Sequence, residues 1–444
     1  MLRRLAAIDP ARYPLLLDSA AAGPLGRASL LLAEPRAALW LGADGRLGAD
    51  GTAVEGASFL GALESWWRRE GVGRDPAGAS KLPFTGGWAL YIGYELAQEI
   101  EPQLRLPPTP LPWVAFALRT PCALVHELES GRVFAVAEAD AADSLARIAV
   151  DAHAAATRAD PPDPLEVCAV REEEPQAFLG RVARAQEYVR AGDIYQANLS
   201  RPWSVEVAGP VDASAAALYA RLRRANPAPF AALAQWRGVA FLSSSPERLV
   251  RVAGNRIETR PIAGTRPRSR RPGGDAREIP ELVMHPKERA EHIMLVDLER
   301  NDLGRLCEPG TVFVDELMSV ESYVHVHHIV SNVSGVLRAG VTPLAAVRAV
   351  FPGGTITGCP KFRCMQIIAE LEGLGRGAYT GSLGYLTVDG QLDLNILIRT
   401  MTLAGSTLEF RAGAGIVADS DPERELEETR AKARGLLRAL EERA

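Results

Sequence analysis

Cysteine is scarce in this chain, with five among 444 residues. The five are Cys122, Cys168, Cys307, Cys359 and Cys364. Their number is odd and no two of them form a Cys-x-x-Cys pair, so the sequence indicates neither a disulfide framework nor a zinc site. We expect packed thiols in a reducing compartment.

Long apolar runs are also missing. The opening residues, MLRRLAAIDPARYPLLL, hold no secretory apolar segment, and prolines interrupt them before the roughly 20 residues that a membrane-spanning helix needs. We expect a cytoplasmic protein without a membrane partner.

Positive charge is not in excess. The formal net charge is −5, which provides no electrostatic footprint for nucleic acid. The glycine-rich phosphate motifs of P-loop and dinucleotide-binding proteins do not occur either. The sequence therefore argues against nucleic acid as a partner and against these two kinds of nucleotide site.

What the chain does contain is a change of pattern. Up to about residue 155, short β-like runs alternate with glycine and proline, with a helix predicted at 57–70 and a hairpin turn at 129–132. A proline-rich linker is predicted at 156–166. From 167 onward, longer amphipathic helices alternate with strands. This order predicts the α+β class rather than regular βαβ units.

Two stretches with helical spacing, 285–302 and 423–437, each carry two glutamates three residues apart, and Lys432 follows in the second stretch. The glutamates are Glu288, Glu291, Glu425 and Glu428. The apolar residues of the first stretch are Ile293, Met294, Val296 and Leu298. Residues three apart share a helix face, so two carboxylate pairs directed at one place would need a cation, and oxygen ligands favour Mg2+. The alternative is a pair of solvated helices with weak ion pairs.

Taken together and in order, ten segments resemble the chorismate-using enzymes, which include the large subunits of anthranilate and aminodeoxychorismate synthases and the isochorismate and salicylate synthases. The segments are LPFTGGWALYIGYE (82–95), GDIYQANLSR (192–201), SSPERL (244–249), ETRPIAGTRPR (258–268), KERAEHIMLVDLERNDLGR (287–305), VHHIVS (326–331), FPGGTITGCPKFR (351–363), YTGSLGYL (379–386), LNILIRT (394–400) and RAGAGIVADSDPERELEETRAKA (411–433). The resemblance covers nearly the full chain.

This resemblance implies a fold similar to that of anthranilate synthase component I. We expect a single large α+β domain in which two antiparallel sheets pack together and helices surround them. Residues 1–155 would form the amino-terminal region of that fold, 156–166 a linker, and 167–444 the chorismate-binding catalytic region.

The resemblance also implies a Mg2+ ion that bridges protein carboxylates to the ring carboxylate of chorismate. Glu291 and Glu428 match the family's metal ligands, and Glu288 and Glu425 would lie behind these ligands or contact the ion through water. Glu288 further matches a candidate general acid for the departing C4 hydroxyl, a role that suits a carboxylic acid with a raised pKa.

The other carboxylate of chorismate, on its enolpyruvyl group, is expected to meet Arg399 and Tyr385. The backbone at Gly413, Ala414 and Gly415 would approach the ligand closely, because glycine leaves room for N–H groups. The remaining positions that the resemblance assigns are His328, Thr265 and Lys432 as catalytic residues and Ala263, Gly264 and Thr357 as substrate-binding residues.

Gln196 separates the branches of the family. The isochorismate and salicylate synthases carry a lysine at this place as the base that activates water, whereas the ammonia-using members carry glutamine. A neutral amide cannot deprotonate water, so we predict that Gln196 belongs to an enzyme that uses ammonia.

Two ammonia-using branches remain open. FPGGTITG and LDLNILIRT resemble component I of aminodeoxychorismate synthase, which makes 4-amino-4-deoxychorismate for folate and p-aminobenzoate synthesis. Ala263 resembles anthranilate synthase component I instead, because many aminodeoxychorismate synthases have a lysine there that attacks C2. We favour the first branch and keep the second as the alternative. A non-catalytic chorismate-binding subunit is a third possibility, suggested by Ala263 and opposed by the retained glutamates.

No glutaminase is found in the chain, because Cys359 and Cys364 lack the glycine-framed elbow of a nucleophilic cysteine. The resemblance implies that ammonia comes from a separate glutamine amidotransferase subunit.

Overall fold

The computed structural model describes residues 1–21, 23, 25–71, 82–160, 163, 165–267, 286–322 and 326–441. The side chains at 263, 265–267, 286–288 and 326 lie outside this description. Within the described residues, the chain forms two sheets of eleven strands each, and every neighbouring pair of strands is antiparallel.

The first sheet runs in the order β18-β10-β22-β21-β12-β11-β1-β2-β7-β8, and β9 pairs with β10. Its strands are β1 (Leu15–Asp18), β2 (Ala28–Ala33), β7 (Cys122–Glu127), β8 (Val133–Ala137), β9 (Glu166–Glu172), β10 (Gln196–Ala208), β11 (Phe230–Trp236), β12 (Val239–Ser245), β18 (Gly358–Cys359), β21 (Thr400–Ala404) and β22 (Thr407–Ile416).

The second sheet runs in the order β15-β17-β14-β13-β20-β19-β5-β6-β3-β4, and β16 pairs with β17. Its strands are β3 (Ala37–Gly42), β4 (Leu47–Asp50), β5 (Gly87–Ile92), β6 (Trp113–Thr120), β13 (Arg248–Ala253), β14 (Arg256–Arg260), β15 (Ile262–Pro267), β16 (Phe313–Ser322), β17 (Val326–Val336), β19 (Ser382–Thr387) and β20 (Leu392–Asn395).

Ten α-helices lie in the described part of the chain: α1 (Leu2–Ile8), α2 (Phe59–Glu70), α3 (Ala97–Ile100), α4 (Ala142–Thr157), α5 (Pro175–Arg190), α6 (Val211–Ala225), α7 (Pro286–Gly304), α8 (Pro343–Val350), α9 (Lys361–Glu372) and α10 (Pro422–Glu441). A single-turn 3-10 helix, Gly354–Ile356, matters for the site. None of the described helices combines the length and the apolar character that crossing a membrane requires.

The two sheets pack face to face through an aromatic and aliphatic core. Tyr91 of the second sheet stacks on Phe241 of the first, with ring centroids 4.3 Å apart. Leu32 and Leu383 are buried in the same cluster. Burying aromatic rings of this size stabilises the folded state by about 1.5–3 kcal/mol each, so this layer holds the sheets together.

Helices cover the outer faces of both sheets. Leu63 of α2 and Val347 of α8 pack on the second sheet. Leu218 of α6 and Leu436 of α10 pack on the first. The predicted α+β arrangement of two packed antiparallel sheets surrounded by helices is therefore confirmed.

Individual elements also follow the sequence predictions. The helix expected at 57–70 is α2, and its N-terminal Ser58 accepts a hydrogen bond from the Gly61 amide. The hairpin at 129–132 joins β7 to β8, and the Glu127 amide donates to the Arg132 carbonyl at 2.9 Å. The predicted linker at 156–166 includes residues outside the described ranges, and β9 begins at its last residue.

Candidate active site

Two strands of the first sheet, β10 and β22, form the floor of the candidate site. Asn198 lies opposite Gly415 in the antiparallel register, and Ser200 lies opposite Gly413. A Cβ atom on Gly415 would stand 2.3 Å from Nε2 of Gln196. Glycine is therefore required at 415 for the Gln196 side chain to lie across the strand.

The same floor accommodates a tyrosine. A Cβ atom on Gly413 would stand 2.6 Å from the hydroxyl oxygen of Tyr379, and Asn198 Nδ2 lies 3.5 Å from that hydroxyl. Ala414, between the glycines, is fully buried against the opposite face of the sheet. Small residues at 413–415 thus make room for polar side chains on one face and pack into the core on the other.

Tyr385 has a different environment from the one expected. Its ring packs edge-on against Phe84, with centroids 5.6 Å apart, inside the core between the sheets. The tyrosine hydroxyl beside Gly413 belongs to Tyr379, six residues earlier in the same YTGSLGYL segment.

Gln196 begins β10 opposite Cys359 and is 7% exposed. Its Oε1 atom is buried and has no hydrogen-bond partner among the described residues. An amide oxygen that is removed from water and left unsatisfied costs about 1–3 kcal/mol. A ligand that donates a hydrogen bond would recover this energy.

Thr357 contributes backbone rather than a free hydroxyl. Its Oγ1 donates to the Gly353 carbonyl at 2.8 Å, inside its own turn. Its carbonyl accepts from the Asn198 amide at 2.8 Å. Thr357 therefore fixes the Gly354–Ile356 turn against β10.

Arg399 has a strained backbone, with φ = 51° in the left-handed region. Its side chain is half-buried, and its guanidinium makes no hydrogen bond or ion pair with any described residue. Burial lowers the pKa of this group, and the nearby Glu247 carboxylate opposes the change. A desolvated arginine without a protein partner is suited to bind an anionic ligand, and backbone strain is common at such sites.

Glu247 is a site residue that the sequence analysis did not single out. It sits in the turn between β12 and β13, is 4% exposed, and accepts hydrogen bonds from the Thr355 hydroxyl at 2.8 Å and the Ile262 amide at 3.3 Å. Burial raises its pKa to about 7, although these hydrogen bonds and Arg399 act in the opposite direction. A carboxyl group that titrates near neutral pH can act as a general acid.

His328 lies beside these groups on β17 and is 1% exposed. Burial, with a smaller effect of Arg399, lowers its pKa to about 3, and a hydrogen bond with the Gly264 backbone raises it slightly. The imidazole is therefore neutral at ordinary pH. Gly264 has φ = 74°, and Thr265 is the register partner of His328. The side chains of Ala263 and Thr265 lie outside the described part.

His327 precedes His328 on β17, and successive side chains of a strand point to opposite faces of the sheet. His327 is buried too, and its Nδ1 hydrogen-bonds with the Ser322 hydroxyl at 2.7 Å. It is a packing residue, and His325 lies outside the described ranges.

Helix α10 joins the floor through Lys432. Its Nζ atom donates to the Gly413 carbonyl at 3.0 Å and pairs with Glu428 Oε1 at 2.7 Å. Glu428 is half-exposed, and Glu425, one turn earlier, is buried. Glu428 and Lys432 of this helix are therefore connected to the glycine strand.

The other half of the expected metal site is on α7. Glu291 is half-buried there, and the Glu288 side chain lies outside the description. No group of three or more acidic, histidine or cysteine side chains with metal-binding geometry occurs among the residues that the structure describes. The donor chemistry of Glu291, Glu425 and Glu428, all carboxylate oxygen, fits Mg2+. Their convergence on one ion stays a prediction.

The buried face of α7 differs in part from the predicted one. Val296 is buried as expected, but Ile293, expected on the same apolar face, is 49% exposed. The other buried side chains at helical spacing are His292, Leu295, Glu299, Asp302 and Leu303. Glu299 therefore enters the protein interior behind the site, which the apolar pattern did not indicate.

Comparison with known proteins shows the family to which the chain belongs. The family model described as chorismate binding enzyme matches residues 31–438. An anthranilate synthase component I-like protein of Synechocystis is 42% identical over 364 residues, which cover 81% of this chain and 74% of that protein. An aminodeoxychorismate synthase of Streptomyces griseus is 38% identical over 445 residues, covering 97% of this chain and 61% of that protein.

Among solved structures, anthranilate synthase component I from Streptococcus pneumoniae superposes with a TM-score of 0.81 at 31% identity, covering 94% of this chain and 93% of that one. The chain belongs to the family of chorismate-binding enzymes.

Proposed function

We propose that this chain aminates chorismate with ammonia and releases 4-amino-4-deoxychorismate, as an aminodeoxychorismate synthase component I. The observation that carries the amination is the buried Oε1 atom of Gln196, which has no hydrogen-bond partner among the described residues. Ammonia can donate a hydrogen bond to this oxygen. The neutral amide cannot activate water, which disfavours the hydration reaction of the isochorismate synthases.

Arg399 would bind one carboxylate of chorismate. Its planar guanidinium has no competing protein partner in the described chain, and it can donate two parallel hydrogen bonds to a carboxylate. Tyr379, whose hydroxyl lies beside Gly413, would contribute a hydrogen bond there in place of the predicted Tyr385. Neutral His328 would border the ring between Arg399 and Gly264 without adding charge.

Glu247, rather than the predicted Glu288, is our candidate for the general acid. Its carboxyl group lies near Arg399, and the Thr355 hydroxyl and the Ile262 amide fix its orientation. In the reaction, the C4–O bond breaks and the departing oxygen takes the Glu247 proton to leave as water. A C–N bond forms from ammonia, and the new ammonium group then loses one proton.

A Mg2+ ion would be held by Glu291 and Glu428, with Glu425 and Glu288 as neighbouring carboxylates. When bound, the ion supplies positive charge for the ring carboxylate of the substrate. Lys432 pairs with Glu428 and donates a hydrogen bond to the Gly413 carbonyl, so it links this glutamate of α10 to β22. Helix α10 and the glycine-containing strand would therefore move together.

The choice of the 4-amino product has two supports. The match to the Streptomyces griseus aminodeoxychorismate synthase extends over 97% of this chain. The FPGGTITG and LDLNILIRT segments resemble the same branch. In this product nitrogen is bonded to C4 and the enolpyruvyl group is retained.

Anthranilate synthesis is the second candidate. Ala263 offers no amine for a covalent step at C2, and several similar proteins are named anthranilate synthase component 1. Direct attack of ammonia at C2 with loss of the C4 hydroxyl would place nitrogen next to the ring carboxylate. Elimination of pyruvate from that intermediate would then give anthranilate.

A separate glutamine amidotransferase is the proposed ammonia source. The name component I, carried by several similar proteins, is that of one part of a larger enzyme. No glutaminase elbow is present in this sequence.

Product analysis tests the proposal. The purified chain is incubated with chorismate, Mg2+ and ammonium at mildly alkaline pH, and products are separated and identified by mass and fluorescence. We expect aminodeoxychorismate, and no product when glutamine replaces ammonium. Anthranilate with pyruvate would establish the second candidate, and isochorismate alone would refute amination.

A further inference from the structure

Two carboxyl groups, Glu247 in the candidate site and Glu299 behind it, are buried and have no ion-pair partner in the described part of the chain. Glu247 and Glu299 are 4% and 5% exposed, and neither forms an ion pair with a cation of the described chain. Glu372 shows the usual arrangement, because its carboxylate pairs with Arg376 at 2.7 Å and with Arg411 at 2.8 Å. Buried acids that lack such partners tend to keep a proton.

A single turn connects the two groups. Glu299 of α7 lies against Gly354, where an added Cβ atom would be 3.5 Å from Glu299 Oε1. The next residue, Thr355, donates its hydroxyl proton to Glu247 Oε1 at 2.8 Å. The Gly354–Ile356 turn therefore contacts one carboxyl group with each of two consecutive residues.

The charges around the pair favour a shared proton. Burial raises the pKa of both groups to about 7. The charge of Glu299 raises the pKa of Glu247, and Arg399 lowers it. On the other side, Lys361 lowers the pKa of Glu299 and Asp302 raises it, but Lys361 is already paired with Asp302 at 2.6 Å. Two interacting carboxyl groups that are buried at one turn titrate as a coupled pair.

We propose that Glu299 is a positioning residue that keeps Glu247 protonated: the two carboxyl groups hold one proton between them, and the negative charge of Glu299 places it on Glu247. This inference rests on the proposed role of Glu247 as the general acid. When Glu247 gives its proton to the departing hydroxyl, the pair loses one proton. The proton that the newly formed ammonium group releases restores it, so chorismate and ammonia yield the amine and water.

The test compares Glu299→Gln with the wild type. Glutamine keeps the size of the side chain and removes its charge, so the basic limb of the kcat/KM profile should move to lower pH by about one unit. Glu299→Asp keeps the charge and should retain the wild-type profile. Asp297→Asn removes one charge from an exposed position of the same helix and serves as the matched control.

A second measurement needs no turnover. Infrared titration of the free protein follows the carbonyl stretch of protonated carboxyl groups, assigned by its loss in Glu247→Gln. In Glu299→Gln this band should disappear at lower pH than in the wild type. An unchanged band and an unchanged pH profile in Glu299→Gln would overturn the inference. A shifted band in an enzyme whose Glu247→Gln variant keeps full activity would instead refute Glu247 as the acid.

Discussion

Gln196 lies directly over Gly415, at a distance that leaves no space for a Cβ atom between them. We predict that Gly415→Ala displaces the amide that is proposed to receive ammonia. A displacement of about 1 Å at a reacting centre can cost about 100-fold in rate. Ammonium-dependent turnover should therefore fall by about that factor, with a raised KM for ammonium.

The control for this change is Gly180→Ala. Gly180 lies in α5, where an added Cβ would meet no atom within 4 Å. Alanine is a better helix former by up to about 1 kcal/mol, so the control should be slightly more stable and fully active. Equal kinetics in Gly415→Ala and Gly180→Ala would contradict the role of Gln196.

Two tyrosines of one segment provide a matched pair. Tyr379→Phe removes the hydroxyl beside Gly413, so we expect KM for chorismate to rise by about 10-fold, the loss of one hydrogen bond to a charged group. Tyr385→Phe alters a ring in the core between the sheets and should leave KM unchanged. Steady-state kinetics measures KM for chorismate in both variants. A raised KM in Tyr385→Phe and an unchanged KM in Tyr379→Phe would show that Tyr385 binds the substrate.

The dependence of activity on Mg2+ tests whether Glu428 of α10 is a metal ligand. Glu428→Gln should raise the Mg2+ concentration needed for half-maximal activity by at least about 10-fold, because it removes a charged oxygen ligand. Glu427→Gln is the control, since this exposed neighbour pairs with Arg430 on the helix surface. Isothermal titration with Mg2+ alone measures the same affinity without substrate. Identical Mg2+ curves for both variants would mean that Glu428 is a solvated surface residue.

Glu247 also gives a prediction for stability against pH. Its pKa is raised in the folded protein, so the native state binds a proton that the unfolded chain has lost between about pH 4.5 and 7. The stability contributed by this group is therefore lost as the pH rises to 7, by up to about 3 kcal/mol. Glu247→Gln removes that loss. Its Tm, relative to the wild type, should be higher at pH 8 than at pH 5.

The same variant should lose activity. Removal of a general acid reduces kcat by about 100-fold to 10,000-fold. If Glu247→Gln loses activity but its relative Tm is independent of pH, the carboxyl is ionised in the free enzyme and its role is only to bind.

The sequence predicted the α+β architecture well, because the periodicity of apolar residues indicates strands and helices and the turn residues indicate where they end. It did not distinguish Tyr379 from Tyr385, since either tyrosine suits a strand and only the packing of the sheets sends one of them into the core. Glu247 was hidden for a related reason: nothing local shows that the turn between β12 and β13 is buried.

Helix α7 shows a different limit of prediction from sequence, namely the identification of buried polar residues. The apolar residues predict a buried face that includes Ile293. The face that is directed to the interior instead carries His292 and Glu299, which are also at helical spacing. Polar residues that are buried for chemistry or hydrogen bonding carry no hydrophobic signal. Their location depends on tertiary contacts, which are with the Gly354–Ile356 turn for Glu299 and with the Ser331 hydroxyl for His292.

The amino-terminal strands form one end of each sheet. β1 pairs with β11 in the first sheet, and β5 pairs with β19 in the second. A chain that began at residue 167 would therefore leave β11 and β19 as open edges, with unpaired backbone groups that promote aggregation. The carboxyl-terminal region that carries the site residues would not be expected to survive as a fragment, and during synthesis β11 and β19 can be completed only by strands that left the ribosome long before them.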